Sequence, residues 1–531
     1  MSNRLFWSAA ILLLLFHGLI QFTTARIESQ TFDEGIHLVA GFSYWRMGEF
    51  RMNQEHPPLS KLLAAAPLLT TTARLPDMPD ALKYADTLAL YFPFLYKNTV
   101  HADTLLLLGR TATILCSLAL GLAIALWTRA SFSPLAGIGA LFLYATDPNF
   151  LAHGHYITSD VPVSLFIFLA VLTWLRALET QRKRHYAVAA VMLGLAIATK
   201  FSALFLLPAH LVVAVIKRRL APVRTVLVFA GALGLATMTY APETLRWRTL
   251  PPLAERIQQT TPAGRATHHL AEALHLPAHP FLEGLWMLAE HNETGHWSYL
   301  NGEVHESGDW RYFPTAFAVK TPLAVLVLIA ARVILSRPVI WMIYPALYFL
   351  LSTVSNLNIG LRHLLPMYPF LFVWIGSALD RRWFRLVFVL AAAIQVYELA
   401  RIHPHYLSFF NSAVGGAPNG HRYLLDSNLD WGQDGKKLAA WMKQNKLEEM
   451  CVSYFGGADL EYYGVRHFPL LHAKTDAERA ALRCVAAVSV NNLYDLYTPE
   501  GTHAWARRLK PFGRIGHSIL LYDLRNSSPP K

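Results

Sequence analysis

The sequence predicts a polytopic α-helical membrane protein that carries a small α/β domain at its C-terminal end. Three observations carry this expectation. Of 531 residues, 54% are hydrophobic and only 15% charged, against roughly 25% charged in a soluble domain. The apolar residues fall into blocks of about twenty, the length a helix needs to cross a hydrocarbon core about 30 Å thick. After residue 400 the blocks give way to short β-rich runs alternating with helical patterns.

Eleven apolar windows are read, at 5–22, 104–127, 135–151, 161–178, 186–199, 201–216, 225–241, 315–335, 339–354, 363–379 and 384–399. The first, second, fourth and eighth are long enough to span unaided. The pair at 186–216 is divided by Lys200 and reads as two spans or one broken hairpin. Small residues at Thr23-Thr24-Ala25 would suit signal-peptide cleavage, yet the single early Arg4 and the length of the first window favour a retained helix.

Charge placement sets the orientation. With the N-terminus in the cytoplasm, the inner connections hold Arg129; Arg182, Lys183 and Arg184; Lys217, Arg218, Arg219 and Arg224; Arg332 and Arg337; and Arg381, Arg382 and Arg385. The short outer connections hold only Lys200 and Arg362. That asymmetry follows the positive-inside rule and explains most of the net charge of +12 without a nucleic-acid partner. An odd number of spans puts 401–531 outside as a small α/β domain, leaving 1–400 as the transmembrane domain. Two long loops share the outer side, 23–103 and 242–314. Within them 34–47, 59–69 and 281–290 read as helices in the membrane interface. In the tail, strands are expected at 450–455, 484–490 and 518–524, and helices around 433–446, 476–482 and 502–509. Cys116 sits in an apolar block, whereas Cys451 and Cys484 lie in the tail and could pair outside the cytosol. The sequence holds no nucleotide-type glycine loop, no zinc-type cysteine spacing and no internal repeat.

Ionisable residues outside the tail cluster near the outer ends of the spans. Asp33-Glu34 follows the first span by about ten residues, and Glu55-His56-Pro57-Pro58 opens the second interfacial helix, where the two prolines fix the backbone. Asp160 ends the run HGHYITSD, which also holds His153 and His155. Lys200, Lys320 and Arg362 stand at outer span ends, and His305, Glu306, Asp309, Trp310, Arg311 and Tyr312 crowd the approach to a span. Plain structural roles compete with every one of these: helix capping for Asp33, Glu55 and Asp160, interfacial polarity for the histidines, and snorkelling for the cations. Lys200 and Arg362 stand out because they oppose the charge bias of the outer face, which suits phosphate contacts. Carboxylates and cations at one membrane face suit transfer of a sugar from a lipid-linked phosphosugar: basic residues or a metal stabilise the departing phosphate while an aspartate takes a proton from the acceptor hydroxyl.

The Asp33-Glu34 pair, the Glu55-His56-Pro57-Pro58 start and Asp160 together resemble the GT-C fold glycosyltransferases. The likeness is to glycosyltransferase family 39, the protein O-mannosyltransferase-like branch, and to the aminoarabinose transferase of lipid A. HESGDWRYFP (305–314), GLRHLLP (360–366) and HPHYLSFFN…LDSNLDWGQD (403–434) resemble a bacterial subset of that branch. The resemblance covers about 1–410 and implies a polyprenyl-phosphate sugar donor, transfer to a lipid, glycan or protein, and chemistry on the periplasmic or lumenal face. By position it implies Asp33 as catalytic carboxylate with Glu34 beside it and Asp160 as a second acid. It further implies His56, Lys200 and Arg362 as donor-phosphate contacts, and Glu55 and His305 as ligands of a divalent metal ion. Two departures accompany it. The aminoarabinose transferase carries a lysine where this chain has His56, and the MIR domains of eukaryotic O-mannosyltransferases are missing, which puts a protein acceptor in doubt. The expectation is therefore a membrane glycosyltransferase, in a bacterial inner membrane with the C-terminal domain in the periplasm. A lipid or solute transporter or flippase is the main alternative, and a non-catalytic assembly protein a third.

Overall fold

The computed structural model describes residues 1–335, 339–472, 475, 478 and 481–525. It is a helical bundle of membrane type joined to a small C-terminal α/β domain. Helix α1 (Asn3–Ile27) shows how the sequence divides its surface: Leu12, Leu15 and Leu19 face outward, while Phe6, Ala10, His17 and Gln21 are buried. An apolar outer face is what a helix presents to lipid. Among the described residues, four helices are individually long and apolar enough to cross a membrane: Asn3–Ile27, Ala102–Ser131, Asp160–Thr180 and Arg382–Ile402. The other windows are met by shorter helices, such as Pro134–Ala145, Pro222–Met238 and Tyr368–Gly376.

The window at 315–335 departs from the expected single span. It forms two helices, Tyr312–Lys320 and Leu323–Leu335, bent by 106°. Pro322 lacks the N–H that would continue the first helix. The freed carbonyls of Ala318 and Thr321 are taken by the Asn411 side chain, at 2.7 and 2.9 Å. The window pair at 186–216 is likewise two helices, Lys183–Thr199 and Leu206–Ile216, joined through Lys200 and a 3₁₀ turn.

The first outer loop holds α2 (Phe32–Met47) and α3 (Leu59–Ala65). They cross so closely that a Cβ on Gly41 would fall 2.1 Å from the Lys61 carbonyl oxygen, so only glycine serves there. Lys61 is buried and donates to the carbonyls of Asn53 and His56 and to the Tyr44 hydroxyl, hanging the loop 53–56 from α3. In the second outer loop the helix expected at 281–290 is Pro280–Thr294, followed by the hairpin β1 (Ser298–Leu300) and β2 (Glu303–His305).

Residues 403–434 wind over the outer end of the bundle in short turns before Gly435–Gln444 opens the α/β domain. Its five strands are β3 (Met450–Ser453), β4 (His467–Pro469), β5 (Val485–Ser489), β6 (Gly513–Ile515) and β7 (Ile519–Asp523). Their order is β4-β3-β5-β7-β6, with β3 parallel to β4 and β5, and β7 antiparallel to β5 and β6. Both faces are packed, one against Leu438 and Met442, the other against Leu493 and Ala506. Cys451 and Cys484 form a disulfide. Strands appear at all three expected places and helices at two; the helix expected at 476–482 lies largely outside the described residues.

One buried ion pair fixes how α1 turns into α2. Arg110, on Ala102–Ser131, donates through Nε and Nη2 to both oxygens of Glu34, at 2.8 and 2.6 Å. Its remaining N–H groups reach the carbonyls of Ala25, Glu28 and Ser29, so all five guanidinium donors are used. Glu34 also accepts from the backbone N–H of Thr31 and of Ile157. Burial opposes its charge, yet the Arg110 guanidinium and these N–H groups hold the carboxyl below its usual range. Breaking a buried pair strands the remaining charge, at about 3–5 kcal/mol. Glu34→Gln is therefore expected to lower the unfolding free energy of the detergent-solubilised protein by about that amount, read from thermal or denaturant unfolding. A change within about 0.5 kcal/mol would contradict the role given to Arg110.

Candidate active site at the outer end of the bundle

Asp33 is the second residue of α2, beside Glu34 but turned the other way, and remains 24% exposed. The N-terminal end of a helix favours a carboxylate. Asp160 opens Asp160–Thr180, yet its side chain does not cap that helix; the N-cap is Ser159, without a side-chain bond. The Asp160 carboxylate instead accepts from Lys200 Nζ at 2.6 Å and faces Arg362 Nη1 at 3.5 Å. Arg362 Nη1 also reaches Asp33 Oδ2 at 3.2 Å. Two carboxylates and two cations thus form one row: Asp33, Arg362, Asp160, Lys200.

The backbone explains the row. Lys200 ends Lys183–Thr199 in an extended conformation, which swings its side chain across to Asp160. Arg362 follows Gly360, whose φ of +142° favours glycine and whose Cβ would strike the Ser427 hydroxyl. Leu361 N–H donates to Asn428 Oδ1 at 2.9 Å, tying this turn to the segment 426–428. The Arg362 guanidinium lies over the Trp431 ring, 4.3 Å from its centroid, and its Nε has no partner among the described residues.

Asp33, Arg362 and Lys200 line a cavity of about 970 Å³, whereas Asp160, though bound to both cations, is buried behind them and is not part of the lining. Apolar side chains, among them Phe201, Phe205, Leu288, Phe313 and Leu351, form one part of its wall. Polar residues from three regions form the rest: Asp33, His37, Asn53, Glu55 and His56 from the first loop, His291 and His296 from the second, and Asp426, Asn492 and Tyr497 from the C-terminal region. Wells of this size, mostly apolar with a few convergent polar groups, are the usual form of ligand sites.

Not every expected residue faces this cavity. Glu34, expected beside Asp33 as a catalytic group, is buried against Arg110 and has no place in the lining; its role is to hold the frame. His56 does line it. Burial, with His37, Lys61, Lys200 and Arg362 nearby, holds its imidazole well below the usual range. It is neutral at pH 7, so it offers a phosphate a hydrogen bond and no charge. Glu55 is turned toward His291, with Oε2 at 3.4 Å from Nδ1, and that hydrogen bond raises the His291 pKa. His305 ends β2 and is absent from the lining, so the expected Glu55–His305 pairing gives way to Glu55–His291. Lys320 does not snorkel: it is buried, donating to the carbonyls of Leu407 and Asn428. His155 is bound to Glu28 at 3.0 Å, and His153 packs near Trp431.

Beyond the residues expected from the sequence, the lining holds His37, His291, His296 and Tyr497, and also Asp426 and Trp431. The LDSNLDWGQD run is the available signal, since it places five carboxyl or amide groups and a tryptophan within nine residues. The same run is sewn to the start of α2: Phe32 N–H donates to the Trp431 carbonyl at 3.0 Å, Ser29 N–H to that of Gln433 at 3.1 Å, and Gly435 N–H to the Ser29 hydroxyl at 2.9 Å. Lys437 joins Asp434 at 2.7 Å and lies 3.7 Å from Glu28.

Asp430, next to Trp431, is buried, and burial pushes its carboxyl up to about 8. Folded, it holds a proton that the unfolded chain gives up near pH 4, so its influence on stability is favourable at low pH and is lost as pH rises toward 8. Asp430→Asn is expected to remove this slope: the difference in Tm between pH 5.5 and pH 7.5 should shrink in the variant. An unchanged difference would show that Asp430 is ionised in the folded protein.

The family described as dolichyl-phosphate-mannose-protein mannosyltransferase matches residues 103–243, a segment that holds Asp160 and Lys200. No curated protein matches the chain. Among solved structures, the chain is similar to ArnT from Cupriavidus metallidurans bound to undecaprenyl phosphate, at 14% identity and a TM-score of 0.49, over 98% of this chain and 99% of that one. It is also similar to the S. cerevisiae protein O-mannosyltransferase Pmt1-Pmt2 complex bound to the sugar donor, at 16% identity and 0.35, over 49% and 38%. A third likeness is to the Archaeoglobus fulgidus oligosaccharyltransferase in the apo form, at 11% and 0.46, over 96% and 73%.

Proposed function

We propose that this chain transfers a sugar from a polyprenyl-phosphate donor to an acceptor hydroxyl within the cavity described above. The observation that carries the reading is the row Asp33–Arg362–Asp160–Lys200, of which Asp33, Arg362 and Lys200 stand on the wall of a largely apolar well and Asp160 backs the two cations. The match of 103–243 to a family named for a lipid-phosphate sugar donor supports it. A phosphate at the row would meet the cations Arg362 and Lys200 and would satisfy the unpartnered Arg362 Nε. The isoprenoid would lie along Phe201, Phe205, Leu288 and Leu351. Asp33, the more exposed of the two acids, would take the proton of the acceptor hydroxyl. The new bond forms between that oxygen and the anomeric carbon, while the bond from that carbon to the phosphate oxygen breaks and its electron pair leaves with the phosphate. Asp160 holds both cations in place and need not touch the sugar.

A divalent ion fits Glu55 and His291 better than Glu55 and His305, because the first two face each other across the cavity wall. Such an ion would neutralise charge on a phosphate oxygen. We propose that the cavity opens on the side opposite the cytoplasm, on the charge asymmetry of the connections, which in the bacterial inner membrane implied by the resemblance is the periplasm.

The decisive experiment follows labelled sugar from a panel of polyprenyl-phosphate sugars in membranes carrying the wild type or Asp33→Asn. Loss of a general base is expected to reduce transfer by about 10²–10⁴-fold while the protein still inserts and accumulates. Full activity in that variant would remove Asp33 from the chemistry. Arg362→Lys keeps a positive charge but loses the planar guanidinium that lies over Trp431 and the Nε–H free to meet a phosphate, so transfer should fall at least about 100-fold; activity within about twofold of the wild type would count against the row. Chelation should reduce activity, with restoration by added metal in the wild type and none in Glu55→Gln. Insensitivity to chelation would dismiss the ion.

A further inference from the structure

The mechanism above leaves one wall of the cavity unused, the one supplied by the C-terminal region. Asp426 sits there in a left-handed backbone conformation, φ +58°, which residues other than glycine rarely adopt and which clusters at functional sites. The conformation is enforced from three sides. The Asp426 N–H donates to Asn491 Oδ1 at 2.9 Å, Ser427 N–H donates to Asp426 Oδ1, and the Tyr497 hydroxyl donates to Asp426 Oδ2 at 2.6 Å. Each carboxylate oxygen can accept two hydrogen bonds and here takes one from these donors, so each retains a lone pair beyond these contacts. Beside the pair lies a stack of rings from two regions. Phe32 and Phe455 are nearly parallel with centroids 5.8 Å apart, and Phe455 and Tyr497 are 5.1 Å apart at 14°. Phe455 is covered on both faces, whereas Phe32 and Tyr497 stay 38% and 37% exposed. Phe32 immediately precedes Asp33, so this wall adjoins the carboxylate assigned to the proton.

We propose that this wall is a subsite for a hydroxylated ring, anchored by the Asp426–Tyr497 pair and bordered by the exposed rings of Phe32 and Tyr497. The proposal rests on the glycosyl-transfer reading and deepens it. A pyranose or furanose presents C–H faces that pack on aromatic rings and hydroxyls that donate to a carboxylate; both surfaces occur here side by side. A purely structural aspartate in a left-handed turn would be served as well by glycine or asparagine and would need no phenol. Arg362 faces Asp426 from the other side and keeps the carboxylate charge compensated, and Asp33 adds a second negative group beyond it. Burial raises the Asp426 carboxyl to about 6, which leaves it an acceptor at neutral pH. The ring has two sources in the proposed reaction, the donor's sugar or a sugar of the acceptor.

The test uses the purified full-length protein and two variants. Tyr497→Phe keeps the stack and removes the hydroxyl; Asp426→Asn keeps the shape and removes the charge; thermal unfolding checks that each variant is folded. Binding of polyprenyl phosphate and of its sugar-bearing form is measured by competition, and the KM for acceptor by transfer. If the donor's sugar occupies the wall, the wild type prefers the sugar-bearing lipid by about tenfold, and Tyr497→Phe abolishes the preference while leaving affinity for bare polyprenyl phosphate within about twofold. If the acceptor's ring occupies it, the donor preference is unchanged and the acceptor KM rises by about tenfold or more. Preference and KM both within about twofold of wild type in both variants would overturn the proposal. Failure of the underlying reading looks different: the wild type transfers no sugar from any donor of the panel, whatever Tyr497→Phe does to binding. A wild type that neither prefers the sugar-bearing lipid nor transfers sugar overturns both.

Discussion

A single guanidinium organises the outer end of this protein. Arg110 is buried in the helix Ala102–Ser131 and uses all five of its donors where α1 ends and α2 begins, three carbonyls on one side and Glu34 on the other. The last carbonyls of a helix have no partner within it and need one when buried. Here they find a cation, and the cation finds the carboxylate at the start of the next helix. The turn between the two helices therefore cannot drift. Asp33, one residue from Glu34, inherits that rigidity without making any of the bonds that produce it. Preorganisation of this kind, in which a reactive group is held by neighbours that do not react, is what an electrostatic site requires.

The same logic extends to the other groups. Arg362 is aimed by Gly360 and Asn428 and supported by the Trp431 ring; Glu55 and His56 hang from Lys61; Lys200 reaches Asp160 because its own helix stops there. Each is placed by a residue on a different element. The consequence is a cavity whose wall belongs to no single segment, with the C-terminal region completing it through Asp426, Phe455 and Tyr497. The region that looks most separable in sequence is thus part of the well.

Much of the architecture was legible because it follows from periodicity and length. Apolar blocks become helices, and runs such as CVAAVSV and SILLYDL become strands in a packed sheet. Asp33, Asp160, Lys200 and Arg362 were legible as candidates because charge near a span end is conspicuous. Their association was not, since nothing local links position 33 to 362. Glu34 and His305 show the limit more sharply. Sequence proximity paired Glu34 with Asp33, but neighbours on a helix are about 100° apart, and one turned inward to Arg110 while the other faced the cavity. His305 was joined to Glu55 by resemblance, whereas the helix Pro280–Thr294 brings His291 there instead. The break at Thr321-Pro322 could have been suspected from the proline; that Asn411 would complete the freed carbonyls could not.

The seam between residues 28–32 and 431–435 also has a consequence in time. Chains are made from the N-terminus, and the carboxylate at position 33 emerges some four hundred residues before its backbone neighbours at Trp431 and Gln433 exist. Contacts this distant in sequence close late, after the chain between them has been ordered. Throughout synthesis the growing bundle keeps α2 in register through Arg110, Ile157 and the packing of α2 on α3, with the outer wall of its cavity still unmade. The wall supplied by Asp426, Phe455 and Tyr497, and the Asn428 and Trp431 contacts that aim Arg362, thus come into being only once the last quarter of the chain has been synthesised and folded back onto the bundle.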